Sequence, residues 1–159
     1  MRFGYPDSMI HPTPMGYELH ITRAETWLDA EQSPITETEW QHIVAEDESL
    51  SVSATDHYSR RDAVVGVVRV PAVLWTGDAE TVFWFDRGGV TAKNPADHTI
   101  VKMLELASRM NARVFGDDDE EYLRSSTSPG RITKRDPGDS TSARADAPHA
   151  SMKPWWKIW

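Results

Sequence analysis

The stretch VFWFDRGGVTAKNPADHTIVKMLELASRMNARVFGDDDEEY, from Val82 to Tyr122, constrains the fold more than any other part of the chain. Val82-Phe83-Trp84-Phe85 is aromatic and β-favouring, Asp86-Arg87-Gly88-Gly89 tolerates positive φ, and Val90-Thr91-Ala92-Lys93 resumes an extended pattern. That succession predicts a hairpin. Asn94 offers a side-chain acceptor to the first free amides of a helix, Pro95 stands where a missing N–H costs nothing, and Asp97 complements the positive helix end. Ile100, Met103, Leu104, Ala107 and Met110 recur at helical spacing, with Lys102, Glu105, Ser108 and Arg109 largely away from them. The helix is therefore expected to lie along a sheet. Asn111 suits a left-handed helix end, and Arg113-Val114-Phe115 reads as a strand running into Gly116-Asp117-Asp118-Asp119-Glu120-Glu121.

The preceding part supplies the other elements. Residues 1–15 hold three prolines and little periodicity, and read as an irregular lead-in. Tyr17-Glu18-Leu19-His20-Ile21-Thr22-Arg23 alternates with period 2, which predicts a strand burying Tyr17, Leu19 and Ile21 and leaving His20 and Thr22 on a polar outer face. Trp27 is expected to anchor the next turn. In Ile35-Thr36-Glu37-Thr38-Glu39-Trp40, Thr36 and Glu39 have capping-box spacing and Ile35 can staple to Trp40, so a helix begins at Glu37. Trp40, Ile43 and Val44 share its inward side, and Glu46-Asp47-Glu48 reads as a frayed end opposed by the helix dipole. Leu50 to Ala54 suggests a short strand and Thr55 to Ala63 a polar turn. Val64 to Trp75, interrupted by Gly66 and Pro71, reads as a bulged strand near a sheet edge. The fold class is α+β, a single antiparallel sheet covered by about two helices over residues 16–123.

Past Leu123 the composition turns to Ser, Thr, Pro, Gly and basic residues, which predicts a flexible or loosely docked tail over 124–159. It ends in Lys153-Pro154-Trp155-Trp156-Lys157-Ile158-Trp159, where Trp155, Trp156 and Trp159 suit docking on this chain or on another protein better than insertion in a membrane. Hydrophobic residues make up 39% of the 159, and the mean hydropathy of −0.55 accords with part of the chain staying unpacked.

Charge bears on function. Between Gly16 and Leu123 there are 21 acidic and 9 basic residues, while 124–159 holds 7 basic and 3 acidic. An acidic body repels phosphate backbones, so direct nucleic-acid binding is not expected, whereas a basic protein would be steered to it. The absence of cysteine excludes disulfides, thiolate metal sites and cysteine nucleophiles. No run of apolar residues is long enough for a membrane span and no secretory signal is visible, which leaves the cytoplasm as the expected compartment.

Candidate chemistry is sparse. Asp117 to Glu121 lacks the spacing of a calcium loop and reads as a solvated acidic turn, or as a landing site for a basic protein. The histidines at 11, 20, 42, 57, 98 and 149 show no His-x3-His pair, so no metal and no cofactor are expected. His20 with Thr22 and Arg23 could supply a base and an anion-binding cation, but no nucleophile in a known setting accompanies them. Gly88-Gly89 is a turn and not a phosphate loop, since no helix follows it directly.

Tyr17-Glu18-Leu19-His20-Ile21-Thr22-Arg23-Ala24 with Trp27, then Pro34-Ile35-Thr36, Glu39-Trp40, Phe83-Trp84-Phe85, Lys93-Asn94-Pro95 and Gly116-Asp117-Asp118 with Tyr122, resembles a group of small bacterial proteins of the kind encoded beside polymorphic toxins as candidate immunity proteins. The resemblance implies a non-catalytic protein that neutralises a cognate toxin, such as a basic nuclease, by binding it. Asp117, Asp118, Asp119, Glu120 and Glu121 are the expected interface charges, supported by Glu37 and Glu39. The alternatives are an adaptor that works through its Trp-rich tail and a small enzyme in which His20, Arg23 and an acidic residue meet in one pocket.

Overall fold

The structure, a computed structural model, describes residues 16–128 and 130–138. It contains β1 (Glu18–Thr22), a short 3-10 helix (Trp27–Gln32), α1 (Glu37–Glu46), β2 (Leu50–Asp62), β3 (Gly66–Trp75), β4 (Asp78–Asp86), β5 (Gly89–Lys93), α2 (Asp97–Arg109), β6 (Arg113–Gly116), β7 (Glu121–Arg124) and β8 (Ile132–Arg135). The strands form one open antiparallel sheet in the order β2-β3-β4-β5-β1-β6-β7-β8. The α+β class thus holds, with a larger sheet than the sequence suggests. No helix among the described residues is long and apolar enough to cross a membrane.

The expected hairpin is β4–β5, with Phe83 opposite Ala92 and Asp86 opposite Gly89. Its two central residues, Arg87 and Gly88, have φ of 49° and 79°. Positive φ at both positions is the I′ turn, whose twist matches that of the flanking strands. Gly88 has a second reason to lack a side chain: a Cβ there would lie 2.6 Å from Pro34 Cβ. The capping box also forms, with the Glu39 amide donating to Thr36 Oγ1 at 3.2 Å and the Thr36 amide to Glu39 Oε2 at 2.8 Å. It fixes the start of α1, whose Trp40, Ile43 and Val44 are buried.

One face of the sheet carries the core. Leu19 and Ile21 of β1, Val90 and Ala92 of β5, Phe83 of β4 and Val73 of β3 meet Trp40, Ile43 and Val44 of α1 and Ile100, Met103 and Leu106 of α2. Each fully buried Leu, Ile or Phe contributes roughly 1.5–3 kcal/mol through removal from water. Strand parity puts His20 and Thr22 on the other face, as expected, but that face is not polar surface. The 3-10 helix covers it, Trp27 stacks on His20 at 4.3 Å, and Thr22 is wholly buried.

Four further expectations are corrected, and one holds. Asn94 does not cap α2: it has φ of 48°, its Oδ1 accepts from the Tyr17 amide at 2.9 Å, and Ala96 is the residue before the helix. Binding β1 to the end of β5 thus outweighs capping. Thr55 to Asp62 is not a turn but the second half of β2, which resumes after an irregularity between Val52 and His57. Thr55, Asp56, His57, Ser59 and Arg61 are exposed while Tyr58, Arg60 and Asp62 are half-buried, so the inward positions are polar and the usual apolar alternation is absent. β3, which runs from Gly66 rather than Val64, is irregular and next to the sheet edge as expected: its register shifts against both β2 and β4, and Pro71 falls where pairing resumes opposite His57. The α1 end is pinned, because Asp47 binds Lys102 at 2.7 Å. Beyond Leu123 the sheet continues, with Arg124 opposite Ile132 and Glu121 opposite Arg135, so residues 132–135 are strand. The lead-in 1–15 and the terminal Trp155, Trp156 and Trp159 lie outside the described residues.

Candidate functional site

β1 occupies the middle of the sheet, and the polar groups of interest gather at its two ends. At the start, Glu18 and His20 are two residues apart on one strand and so share a face. His20 pairs with Phe115 of β6 on one side and Thr91 of β5 on the other. Thr91 Oγ1 lies 3.1 Å from His20 Nδ1, and Asp117 Oδ1 lies 3.1 Å from Nε2. Asp117 follows β6 immediately, and its other oxygen accepts from the Glu18 amide at 2.8 Å. Donor atoms of Glu18, His20 and Asp117 fall within 4.8 Å of one another. The side chain is 10% exposed and its ring is stacked against Trp27, so it is held on three sides. Beside it opens a cleft of about 330 Å³ whose lining includes Thr22, Trp27, Tyr58, Asp86 and Thr91.

At the far wall of the cleft, Asp86 accepts from the Tyr58 hydroxyl at 2.7 Å and from Arg60 Nε at 2.8 Å. Burial and the neighbouring Asp86 carboxylate push the Tyr58 phenol up. Arg60 also binds Asp62 at 2.9 Å, and the Val64 amide and Arg60 hold Asp62 at about 2. These groups are consumed by one another and tie β2 to the β4–β5 turn.

At the other end of β1, Arg23 donates to Met110 O at 2.9 Å, to Pro34 O at 3.2 Å and to both oxygens of Glu39, at 3.2 and 2.6 Å. A planar guanidinium is suited to such a fork. Its hydrogen bonds, with those from Thr36, hold Glu39 at about 2. His20 and Arg23 therefore serve opposite ends of the strand, each with its own carboxylate, and do not meet in one pocket.

The acidic connection between β6 and β7 turns largely inward. Asp117 binds His20, Asp119 Oδ1 accepts from Thr26 Oγ1 at 2.7 Å, and Glu121 lies 3.5 Å from Arg135. Glu120 is 7% exposed: one oxygen accepts from the Tyr122 hydroxyl at 3.2 Å and lies 3.7 Å from Lys134, while the other has no partner among the described residues. Burial, and then the Glu120 charge, push the Tyr122 phenol up. Asp118 alone of the five is fully exposed. Glu37 is exposed on α1 and accepts from Gln41. Glu37 and Glu39 belong with the Arg23 end, away from the acidic connection, so the seven carboxylates do not make one patch.

Sequence reasoning passed over Glu18, whose i, i+2 relation to His20 on a predicted strand was the available signal. It also passed over Lys134, since a cation in a stretch read as tail gives no sign of pairing with Glu120. The β2–β3 hairpin was missed as a surface: Val64, Val65 and Val67 at its tip are 91%, 69% and 65% exposed. No protein-family model, curated protein or solved structure matches this chain.

Proposed function

We infer that the chain is a protein-binding inhibitor of the immunity kind, which neutralises a basic toxin by contact and performs no reaction of its own. The observation that carries this reading is the β2–β3 arm. Its tip sets three valines in water, and its outer strand leaves one edge without a neighbour among the described residues. Exposed apolar anchors beside an unpaired strand edge are features of a surface made for a partner. Charge supports the same class of partner, since the described residues hold 22 carboxylates against 13 lysines and arginines. A field of that sign accelerates the approach of a basic protein and is weakened by salt. The separation of His20 from Arg23 removes the particular constellation on which the enzyme alternative rests.

The test is co-expression of the tagged full chain with the product of its neighbouring gene, followed by affinity measurement at low and high salt. The expected result is a one-to-one complex that abolishes the partner's toxicity, is weakened by Val64→Lys with Val65→Lys, and associates more slowly after Asp118→Lys with Glu37→Lys. Absence of a complex from a folded, monodisperse sample overturns the reading. A complex that forms but is indifferent to both pairs of substitutions overturns the surface assigned here.

A further inference from the structure

We propose that Glu18, His20 and Asp117 form a binding site for one divalent first-row transition ion, of the borderline class represented by Zn2+. The site is independent of the inhibitor reading and uses none of the residues of the β2–β3 arm. Three donor atoms, one imidazole nitrogen and two carboxylate oxygens, already lie within 4.8 Å of one another. Three tetrahedral donors bonded at about 2.0–2.2 Å to one cation sit about 3.3–3.6 Å apart; Nε2 of His20 and Oδ1 of Asp117 are already 3.1 Å apart, and a rotation of the half-buried Glu18 side chain brings in the third. An imidazole with two carboxylates suits Zn2+ or Mn2+ better than Ca2+ or Mg2+, which favour oxygen donors alone.

The imidazole distinguishes this place from a bare group of surface acids. His20 is more than nine-tenths buried, its ring lies flat on Trp27 at 4.3 Å and 9°, and Thr91 Oγ1 faces Nδ1 at 3.1 Å. With the Nδ1 proton donated to Thr91, the Nε2 lone pair is aimed at the carboxylates, which is the arrangement a metal-bound histidine adopts. Asp117 is fixed as well, because its second oxygen accepts from the Glu18 amide.

The charges point the same way. The ring turns one nitrogen to that side, 3.1 Å from Asp117, and makes no hydrogen bond to Glu18. The Glu18 carboxylate has no hydrogen-bond or ion-pair partner among the described residues. Two carboxylates at this separation in partly buried surroundings repel each other, and a divalent ion between them satisfies all three groups together. Bound there, the ion would join β1 to the β6–β7 connection, with its remaining coordination positions open to the 330 Å³ cleft.

The experiment is titration of the metal-stripped full chain with Zn2+ by calorimetry, and with Co2+ followed by its visible absorption. The expected result is one equivalent bound, a Co2+ spectrum of nitrogen and oxygen ligation, and an imidazole nitrogen of His20 that shifts on Zn2+ addition in 15N spectra. Glu18→Gln, at a partly exposed position, retains the fold and weakens binding by at least roughly 10-fold, and Thr91→Val weakens it by roughly 10- to 100-fold through loss of the ring's support. Failure of the folded wild type to bind Zn2+ or Co2+ overturns the proposal. So does binding that persists at full strength in Glu18→Gln and His20→Gln, since the ion then sits elsewhere.

Discussion

Replacing Lys102 with methionine removes an ammonium from beneath the helices while keeping most of its apolar stem. The Lys102 side chain is 8% exposed and that of Asp47 10%, and their charged atoms are 2.7 Å apart. Burial pushes the Asp47 carboxyl up, yet Lys102 and the Ser49 hydroxyl and amide overcome this and hold it at about 2, against an ordinary 3.8. At 1.36 kcal/mol per pH unit, that difference corresponds to about 2 kcal/mol favouring the folded state with Asp47 ionised. Arg109, at 3.4 Å from Asp47, and Ser49 remain after the substitution. The cost should therefore fall below the roughly 3–5 kcal/mol of an orphaned buried charge, at about 2–3 kcal/mol. In urea unfolding followed by tryptophan fluorescence, with a slope of about 2 kcal/mol per molar, the midpoint of Lys102→Met falls by about 1 M at neutral pH.

The pH dependence has a definite sign. Because Asp47 is more acidic when folded than when unfolded, its stabilisation is complete above about 3.8 and is lost as pH falls towards about 2. The gap between wild type and Lys102→Met thus narrows over that window. Combining Lys102→Met with Asp47→Asn completes a double-mutant cycle, and the two losses should be far from additive. A loss of less than about 0.5 kcal/mol at neutral pH, as for an exposed pair, or simple additivity in the cycle, refutes the account.

Three other outcomes follow from local geometry. Thr36→Ala removes half of the capping box and should lower stability by about 1 kcal/mol, read as a urea midpoint shift. Gly116→Ala puts a methyl group against the Tyr17 hydroxyl and the Glu120 carboxylate, in well-packed surroundings, and should cost roughly 1–3 kcal/mol by thermal unfolding. Arg87→Asn relieves a left-handed residue at the first central position of the I′ turn, at the expense of only a 3.7 Å surface pair with Glu31. It should raise stability by roughly 0.5–1 kcal/mol.

The parts of the fold that were legible in sequence are those encoded locally. Thr36 with Glu39 and the Arg87-Gly88 turn work through residues three or fewer apart, so spacing alone reveals them. β2 was illegible beyond Ala54 because its inward positions, Tyr58, Arg60 and Asp62, are polar and give no apolar alternation, and Thr55-Asp56-His57 reads as turn chemistry. Asn94 misled because its local cue competed with a partner 77 residues away, the amide of Tyr17. His20 was placed on the correct face, but the cover over that face comes from a six-residue 3-10 helix whose one visible anchor is Trp27. The acidic run was visible as charge. Its inward pairing depends on Lys134 and Arg135 of a strand that only tertiary context stabilises, since Ile132 is its sole apolar residue.

The central position of β1 has a consequence for how the molecule assembles. Leu19 is opposite Ala92 on one side and Gly116 on the other, so the first of the described strands closes loops of 73 and 97 residues. The β2–β5 meander can form from neighbours in sequence, whereas β1 has no neighbour until β5 exists and is enclosed only once α2 and β6 have followed. Closing such loops costs entropy before the contacts repay it, which slows folding. As the chain leaves the ribosome, β1 is made before each of its described partners and is thus among the last of these strands to be secured. A substitution that weakens β1 docking should accelerate unfolding far more than it retards the formation of the meander.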